Sequence, residues 1–249
     1  MPARPPDGGI EYSVELESLP GRSQAEEALT VTYADGGTDR MRLHEYERVY
    51  AIPGLYEEVV QRQLECESPA KIAEVLLGAS AEEGAAAAGL RVFDLGAGNG
   101  VVAEELRRHG AGVFVGLDNI AEARDAAARD RPGLYAEYLV GDLAEHPRVP
   151  EVVDEHRLNA LVAVGALGLG HITAASFDAA WRRFPAGSLL AVTVPEQLVE
   201  PGTSDFGDYL EAETTAGRLS VLSRERYRHR LLMDGSAVHY VAIVGRKAE

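Results

Sequence analysis

The sequence contains a single cysteine, Cys66, in 249 residues. One cysteine excludes an internal disulfide and any metal site that needs several thiolates. Long hydrophobic runs are also missing, because the longest stretch of apolar residues and glycine, residues 160–170, is too short to span a bilayer. The first nine residues are rich in proline and glycine and lack the apolar stretch of a secretory signal. We therefore expect a soluble, cytoplasmic protein.

The sequence has few basic residues relative to acidic ones. Lysine and arginine together number 24 against 40 aspartates and glutamates, so the formal net charge at pH 7 is −16. This balance argues against a general nucleic-acid binder, which needs basic surface to replace condensed counterions. It also argues against adhesion to anionic membranes. A hydrophobic content of 46% and a charged content of 26% are typical of a folded globular protein.

Residues 1–89 form the first of two predicted parts of the chain. Strand-like runs at 31–33 and 40–43 flank a glycine-containing turn at 35–37, which is the pattern of a β-hairpin. Residues 55–65 place their apolar side chains on one helical face. A tail, a hairpin and helices are therefore expected before residue 90.

A second helix is predicted to begin at Ser68–Pro69, where serine is a favoured N-cap and proline suits the first helical position. Its apolar periodicity runs to about Leu77. The residues that follow, 79–89, are small and acidic, and Ser80 and Glu83 have the spacing of a capping box. We expect a short helix or a linker there.

From Leu90 onward the sequence alternates between strand-like and helical patterns. Strands are predicted at 91–93, 113–117, 136–140, 160–164 and 189–194, and helices at 101–109, 121–130, 150–156 and 176–184. Such β–α repeats predict an α/β fold with a mostly parallel sheet and helices on both faces. Runs at 226–232 and 237–245 flank Asp234–Gly235, which indicates a closing antiparallel hairpin.

The most informative stretch is a glycine loop between the first of these strands and its helix. Gly96, Gly98 and Gly100 lack side chains where a ligand can approach the backbone closely, beside the positive end of a helix. A dinucleotide fingerprint needs glycine where Val101 stands. Asp94 would repel a pyrophosphate. The loop therefore favours a ligand with an ammonium group.

This loop resembles the first motif of the class I S-adenosylmethionine-dependent methyltransferases, acidic–x–Gly–x–Gly–x–Gly. The resemblance covers roughly residues 90–245 and implies a Rossmann-like sheet of seven strands, residues 90–249 being the cofactor-binding core. It also implies that S-adenosylmethionine is the cofactor. The loop residues that would bind it are Asp94, Gly96, Ala97, Gly98 and Gly100.

Acidic residues follow the next two strands, where the family places further cofactor contacts. The resemblance implies that Asp118 binds both ribose hydroxyls and that Asp142 contacts the adenine amino group. Neighbouring residues that would also contact the cofactor are Asn119, Gly141, Leu143 and, after the fourth strand, Gly165. Apart from the resemblance, acidic side chains at adjacent strand ends supply hydrogen-bond acceptors for an ammonium group, a diol and an amine. The alternative is that both aspartates are helix N-caps.

Two residues are candidates for catalysis. Methyl transfer requires mainly alignment and desolvation, and a base only when the acceptor is protonated. His171, on the loop after the fourth strand, is the candidate base, with an exposed loop histidine as the alternative. Tyr46 and Tyr50 share a helical face in the N-terminal segment, near Tyr56. Because family members often have an N-terminal helical lid, Tyr50 is the second candidate, with simple packing as its alternative.

Four arginines alternate along the first strand of the closing hairpin: Arg224, Arg226, Arg228 and Arg230. A period of two puts all four on one face and Glu225, Tyr227 and His229 on the other. Recognition of an acidic partner is one interpretation. Pairing with the chain's abundant acids is the favoured one.

The predicted function is methyl transfer from S-adenosylmethionine to a small-molecule acceptor. The alternatives are a protein methyltransferase, or a cofactor-binding relative that does not methylate, such as a ring-forming enzyme or a regulator. No metal, nucleic acid or membrane partner is expected. The sequence leaves the oligomeric state open, with a homodimer among the assemblies that it allows.

Overall fold

The computed structural model describes residues 11–18, 21, 23–84, 86–144, 146–167 and 172–248. In these ranges the strands are β1 (Tyr12–Leu16), β2 (Ala28–Tyr33), β3 (Thr38–Arg42), β4 (Arg91–Leu95), β5 (Val113–Asp118), β6 (Glu137–Val140), β7 (Ala160–Ala163), β8 (Leu189–Pro195), β9 (Leu219–Leu231) and β10 (Ala237–Lys247). The α-helices are α1 (Tyr46–Ala51), α2 (Ser68–Glu82), α3 (Val101–Arg108), α4 (Ala121–Asp130), α5 (Val149–Glu155), α6 (Ala174–Trp181) and α7 (Asp205–Thr215). A π-helical segment, Glu57–Gln63, lies between α1 and α2.

The larger sheet has seven strands in the order β6-β5-β4-β7-β8-β10-β9. The first five run parallel, and β10 is antiparallel to both β8 and β9. The central strands β7 and β8 are buried along their whole length, as expected where helices cover both faces. The predicted α/β fold with its closing hairpin is confirmed.

The strand order reverses at β4, whose neighbours are β5 on one side and β7 on the other. Crossover connections leave the sheet on opposite faces from this point, so a crevice opens outside the carboxyl ends of the strands. The glycine loop leaves β4 at this crevice. The topology alone therefore places the loop at the position where open α/β sheets bind ligands.

Two hydrophobic cores sandwich this sheet. Successive side chains of β4 point to opposite faces, so Phe93 joins the core with α5, α6 and α7, and Val92 joins the core with α2 and α3. Within the second core, Ile72 and Leu76 of α2 are fully buried. None of the helices in the described ranges is both long and apolar enough to cross a membrane.

The N-terminal segment has a core of its own. Strands β2 and β3 form the predicted hairpin, and β1, which was not predicted, pairs antiparallel with β2. Leu29, Val31, Val49 and Leu55 are completely buried between this three-stranded sheet and the helical turns that follow it. The segment is thus a folded unit rather than a loose extension of the larger sheet.

Helix α2 differs from its prediction at both ends. Glu67 occupies the N-cap position and Ser68 is already helical. The helix continues past Leu77 to Glu82, so the predicted linker and the Ser80–Glu83 capping box are wrong. Ala79 and Ser80 are buried, and this packing sustains the helix where the local sequence pattern indicates a stop.

A β-bulge in β9 overturns one prediction about the arginines. Arg228 pairs with His239 and Arg230 with Val238, so His229 is an extra residue on its strand. The extra residue turns Arg230 onto the same face as Tyr227. Arg230 is consequently buried, at 3% exposure, and does not share a face with the other three arginines.

The arginines are nevertheless paired with acids, as the favoured interpretation predicts. Arg224, Arg226 and Arg228 form ion pairs at the surface with Glu200, Glu196 and Glu67. Arg230 donates hydrogen bonds to both carboxylate oxygens of Glu27, which begins the N-terminal hairpin region. Both side chains of this pair are at most 4% exposed. It therefore joins the two sheets inside the protein.

Removal of one partner from this buried pair is expected to destabilise the fold strongly. In Arg230→Met, the backbone N–H of Met233, at 2.8 Å, is the one donor that the described residues leave to the Glu27 carboxylate. The free energy of unfolding should fall by about 3–5 kcal/mol, because a buried charge is left uncompensated. Urea unfolding measures the loss. The control Arg226→Met, which breaks an exposed pair, should cost less than about 1 kcal/mol; equal losses in the two variants would contradict the account.

Candidate active site

A cavity of about 400 Å³ lies between the carboxyl ends of the parallel strands and the N-terminal segment. Nine of the eleven predicted cofactor residues line it, and they come from the ends of β4, β5, β6 and β7: Gly96, Ala97, Gly98, Asp118, Asn119, Gly141, Asp142, Leu143 and Gly165. Tyr50 lines the opposite wall. Residues far apart in sequence thus meet in one cleft.

The glycine loop requires glycine for the protein's own packing. Gly96, Gly98 and Gly100 have φ angles of +70°, +53° and +89°, which side-chain-bearing residues rarely adopt. A Cβ on Gly98 would lie 2.5 Å from the hydroxyl of Tyr50, and a Cβ on Gly96 would lie 2.7 Å from the Cβ of Ala166. The sequence indicated close approach of a ligand, but it did not indicate this contact with the N-terminal segment.

Asp118 ties the end of β5 to the glycine loop. Its Oδ2 accepts the backbone N–H of Gly98 at 2.9 Å, and its Oδ1 accepts that of Ile120 at 3.3 Å. Burial raises the pKa of this carboxyl, and the backbone hydrogen bonds act in the opposite direction. Because Ile120 is the N-cap of α4, the alternative in which Asp118 caps a helix is wrong.

Asp142 lies at the end of β6. Its Oδ1 accepts the backbone N–H of Ala144 at 2.7 Å, and the next helix begins only at Val149. The helix-cap alternative is therefore wrong for this residue as well. Both aspartates stand at strand ends with carboxylate oxygens beside the cavity.

Two predicted cofactor residues, Asp94 and Gly100, do not line the cavity. The Asp94 carboxyl is buried behind the loop and accepts a hydrogen bond from the Tyr135 hydroxyl at 2.7 Å. Burial raises the pKa of Asp94 to about 7, so the carboxyl is close to half protonated at neutral pH. A contact between Asp94 and a ligand ammonium stays a prediction.

Three tyrosines of the N-terminal segment cover the glycine loop. The rings of Tyr46 and Tyr50 stack at 5.8 Å, which confirms that they share a face of α1, and Tyr56 lies 5.1 Å from Tyr50. Burial raises the pKa of Tyr46 to about 12 and raises that of Tyr50 well above its usual value, so both hydroxyls stay protonated. The cover is therefore aromatic and uncharged.

The cover is fastened to the loop by a polar clamp. Glu57 accepts hydrogen bonds from the side chains of Asn99 at 2.6 Å and Arg131 at 2.8 Å. Arg131 also donates to the backbone carbonyl of Asn99 at 3.1 Å. The clamp joins the N-terminal segment to the residue next to Gly98.

The far end of the cavity carries a polar cluster that sequence reasoning missed. The hydroxyl of Ser68 lies 2.6 Å from both the Tyr227 hydroxyl and Nδ1 of His229. The His229 ring stacks on Tyr240 with centroids 4.0 Å apart, and the Cys66 sulfur lies 4.0 Å from the same Nδ1. No local motif marks these residues, since they come from opposite ends of the chain and meet only in the fold.

His171 lies outside the described residues, as do Gly168, Leu169 and Gly170. Its role as a base stays a prediction.

Comparison with known proteins identifies the fold. No protein-family model and no curated protein matches the sequence. A solved structure of a protein from Pyrococcus horikoshii, proposed to be an RNA methyltransferase, matches 74% of this chain and 88% of its own with 18% identity and a TM-score of 0.53. An S-adenosylmethionine-dependent methyltransferase from Anabaena variabilis ATCC 29413 matches 70% of this chain and 83% of its own with 14% identity and a TM-score of 0.50. The chain therefore has the class I fold of S-adenosylmethionine-dependent methyltransferases.

The contact between Gly98 and Tyr50 can be tested by double-mutant analysis. Gly98→Ala adds the cost of an alanine at positive φ, about 1–2 kcal/mol, and forces the new Cβ against the Tyr50 hydroxyl. Gly187→Ala is the matched control, because Gly187 also has a positive φ of +79° but nothing within 4 Å of its added Cβ. We expect Gly98→Ala to lower the unfolding free energy by more than the control does, and Tyr50→Phe to recover part of the difference. Equal losses for the two glycines would show that Tyr50 does not press on the loop.

Proposed function

We propose that this protein binds S-adenosylmethionine in the cavity and transfers its methyl group to a small-molecule acceptor. The observation that carries the proposal is the convergence of the glycine loop, Asp118 and Asp142 on one wall at the point where the strand order reverses. This is the crevice where open α/β folds bind their ligands. The residues before 90 would form the cover and residues 90–249 the cofactor core.

Each strand end would hold a different part of the cofactor. The methionine portion would lie along the backbone of the glycine loop, beside the Tyr50 hydroxyl that contacts Gly98, and Asp118 would accept hydrogen bonds from the two ribose hydroxyls. Asp142 would accept a hydrogen bond from the adenine amino group, with Gly141 and Leu143 lining the cavity beside it. The bound cofactor supplies a methyl carbon activated by its sulfonium. The chain's own task is then to bind, orient and desolvate the two reactants.

The tyrosine cover supports a small acceptor over a macromolecular one. Tyr50 is 7% exposed and packs against the glycine loop, so the N-terminal segment covers the loop at Gly98. An acceptor that fits within the cavity can react there without displacing the cover. Exclusion of water by this cover would also strengthen the polar contacts to the cofactor.

Thermal unfolding with added nucleotides tests the cofactor class. S-adenosylmethionine and S-adenosylhomocysteine should raise the unfolding temperature, because a ligand that binds the folded state stabilises it. The same concentration of NAD should not, since Val101 replaces the third glycine of the dinucleotide fingerprint. Stabilisation by NAD alone would overturn the proposal.

A labelling experiment then separates transfer from binding. The protein is incubated with methyl-labelled S-adenosylmethionine and, separately, with a small-metabolite extract or a protein extract. We expect label in a small organic product. Label in protein would identify the alternative acceptor class, and cofactor binding without transfer to any fraction would favour a non-methylating relative.

Asp118→Asn tests the proposed ribose contact. The amide keeps the shape of the side chain and can still accept the Gly98 N–H, but it loses the charge that strengthens hydrogen bonds to the ribose. Affinity for S-adenosylhomocysteine, measured by calorimetry, should fall by about 1.5–3 kcal/mol. Asp154→Asn, on the exposed side of α5, is the control and should bind normally. An Asp118→Asn variant with the affinity of the parent would refute the assignment.

Asp94 generates a prediction about pH. Its carboxyl, with a pKa of about 7, carries part of a proton in the empty site at pH 7. A cofactor ammonium nearby would favour the carboxylate and lower this pKa, so binding should release about half a proton at pH 7 and become tighter as pH rises from 6 to 8. Calorimetry in buffers with different ionisation enthalpies measures the release. Asp94→Asn should abolish it, and an unchanged release in that variant would exclude Asp94 as its source.

A further inference from the structure

We propose that the end of the cavity formed by Cys66, Ser68, His229 and Tyr240 binds the methyl acceptor, and that the acceptor is an uncharged ring compound with a hydroxyl group facing His229. We call these four residues the His229 pocket. The inference deepens the proposed function and rests on it.

The His229 pocket belongs to the same cavity as the glycine loop, and the tyrosine cover lines that cavity too. Tyr50 contacts Gly98, the ring of Tyr46 stacks on Tyr50, and the ring of Tyr56 packs against Tyr50 at a tilt of 38°. Asp118, Cys66 and Arg230 all lie near enough to Tyr46 to influence its pKa. The three tyrosines line the same cavity as the glycine loop and the His229 pocket.

The protein holds one ring nitrogen of His229 and leaves the other for a ligand. Nδ1 is engaged by Ser68 at 2.6 Å, while none of the described residues forms a hydrogen bond with Nε2. His229 lines the cavity. A half-buried histidine held in place through one ring nitrogen leaves the other for a ligand.

The hydrogen bonds behind His229 favour a hydroxyl as the ligand group. The hydroxyls of Tyr227 and Ser68 form a chain that ends at Nδ1 of His229. Each hydroxyl can donate or accept, so the chain can run in either direction and leave Nε2 as donor or as acceptor. A hydroxyl is the simplest ligand group that matches both states.

The charges at this end favour an uncharged acceptor. Burial, with a smaller contribution from Arg230, lowers the pKa of His229 to about 3, so its ring is neutral at physiological pH. Burial raises the pKa of the Cys66 thiol, which stays protonated. The charge of Arg230 is matched by Glu27. An ionic group entering this pocket would lose its hydration without gaining a counter-charge.

The walls favour a flat ring. The His229 and Tyr240 rings lie nearly parallel, at 26°, and Tyr46 and Tyr56 add two further aromatic faces to the cavity. Aromatic side chains bind planar rings through offset stacking and edge contacts. Together, the aromatic walls, the absence of net charge and the exposed ring nitrogen define a neutral aromatic alcohol or phenol as the acceptor class.

Three probes that share one ring system test the inference: 1-naphthol, 1-naphthoate and 1-naphthylmethylammonium. Each is titrated into the full-length protein saturated with S-adenosylhomocysteine, and binding is followed by ligand-observed NMR. We expect 1-naphthol to bind at least ten-fold more tightly than either ion.

Two substitutions of His229 test whether the hydroxyl of 1-naphthol contacts Nε2 of this residue. An asparagine at this position can keep a polar atom near the place of Nδ1 and so retain the hydrogen bond to Ser68, but it has no polar atom at the place of Nε2. His229→Asn should therefore weaken 1-naphthol binding at least ten-fold. His229→Gln places a polar atom near Nε2 and should recover most of the affinity. His239→Asn is the matched control, because His239 pairs with Arg228 on the opposite face of the hairpin, and it should bind as the parent does.

The outcomes separate the two proposals. If S-adenosylhomocysteine does not bind the parent protein, the proposed function fails and this inference fails with it. If S-adenosylhomocysteine binds but an ionic probe binds as well as 1-naphthol, or no probe binds, only the inference is overturned. It is likewise overturned if His229→Asn retains both S-adenosylhomocysteine and 1-naphthol affinity.

Discussion

The left-handed turn from β4 into α3 is the constraint on which the rest of the site depends. Three glycines with positive φ let the chain reverse within a few residues, and the N–H of Gly98 then reaches the Asp118 carboxylate at 2.9 Å. The absence of a Cβ on Gly98 lets Tyr50 of α1 pack directly on the loop. The end of β5, the glycine loop and the tyrosine cover are thereby fixed relative to one another, and the cavity lies between them.

Several polar contacts hold the N-terminal segment in place, and two of them differ in kind. Glu57 binds Arg131 and Asn99 beside the glycine loop, and Glu27 binds Arg230 within the protein. The second contact exists because a bulge turns Arg230 inward. The same bulge brings His229 to the cavity wall, so one irregularity in β9 both anchors the cover and shapes the far end of the site.

The sequence predicted the sheet well because its strands are short apolar runs separated by amphipathic helices, a pattern governed by local burial. Asp118 and Asp142 were also accessible to sequence reasoning, since the topology brings strand ends together. Three features could not be predicted in this way, because each depends on contacts between residues far apart in sequence. They are the bulge at His229, the extension of α2 through Ser80 and the burial of Asp94 behind Tyr135. Helix α7 was not predicted, although the sequence carries a local signal for its start. Ser204 is its N-cap, and the Ser204 hydroxyl accepts the Gly207 N–H at 2.9 Å.

The most direct test of the account is a crystal structure of the protein with S-adenosylhomocysteine bound. The account predicts the nucleoside in the cavity, with both ribose hydroxyls about 3 Å from the Asp118 carboxylate oxygens and the adenine beside Asp142. A nucleoside bound elsewhere, or one in the cavity with its ribose turned away from Asp118, would contradict it.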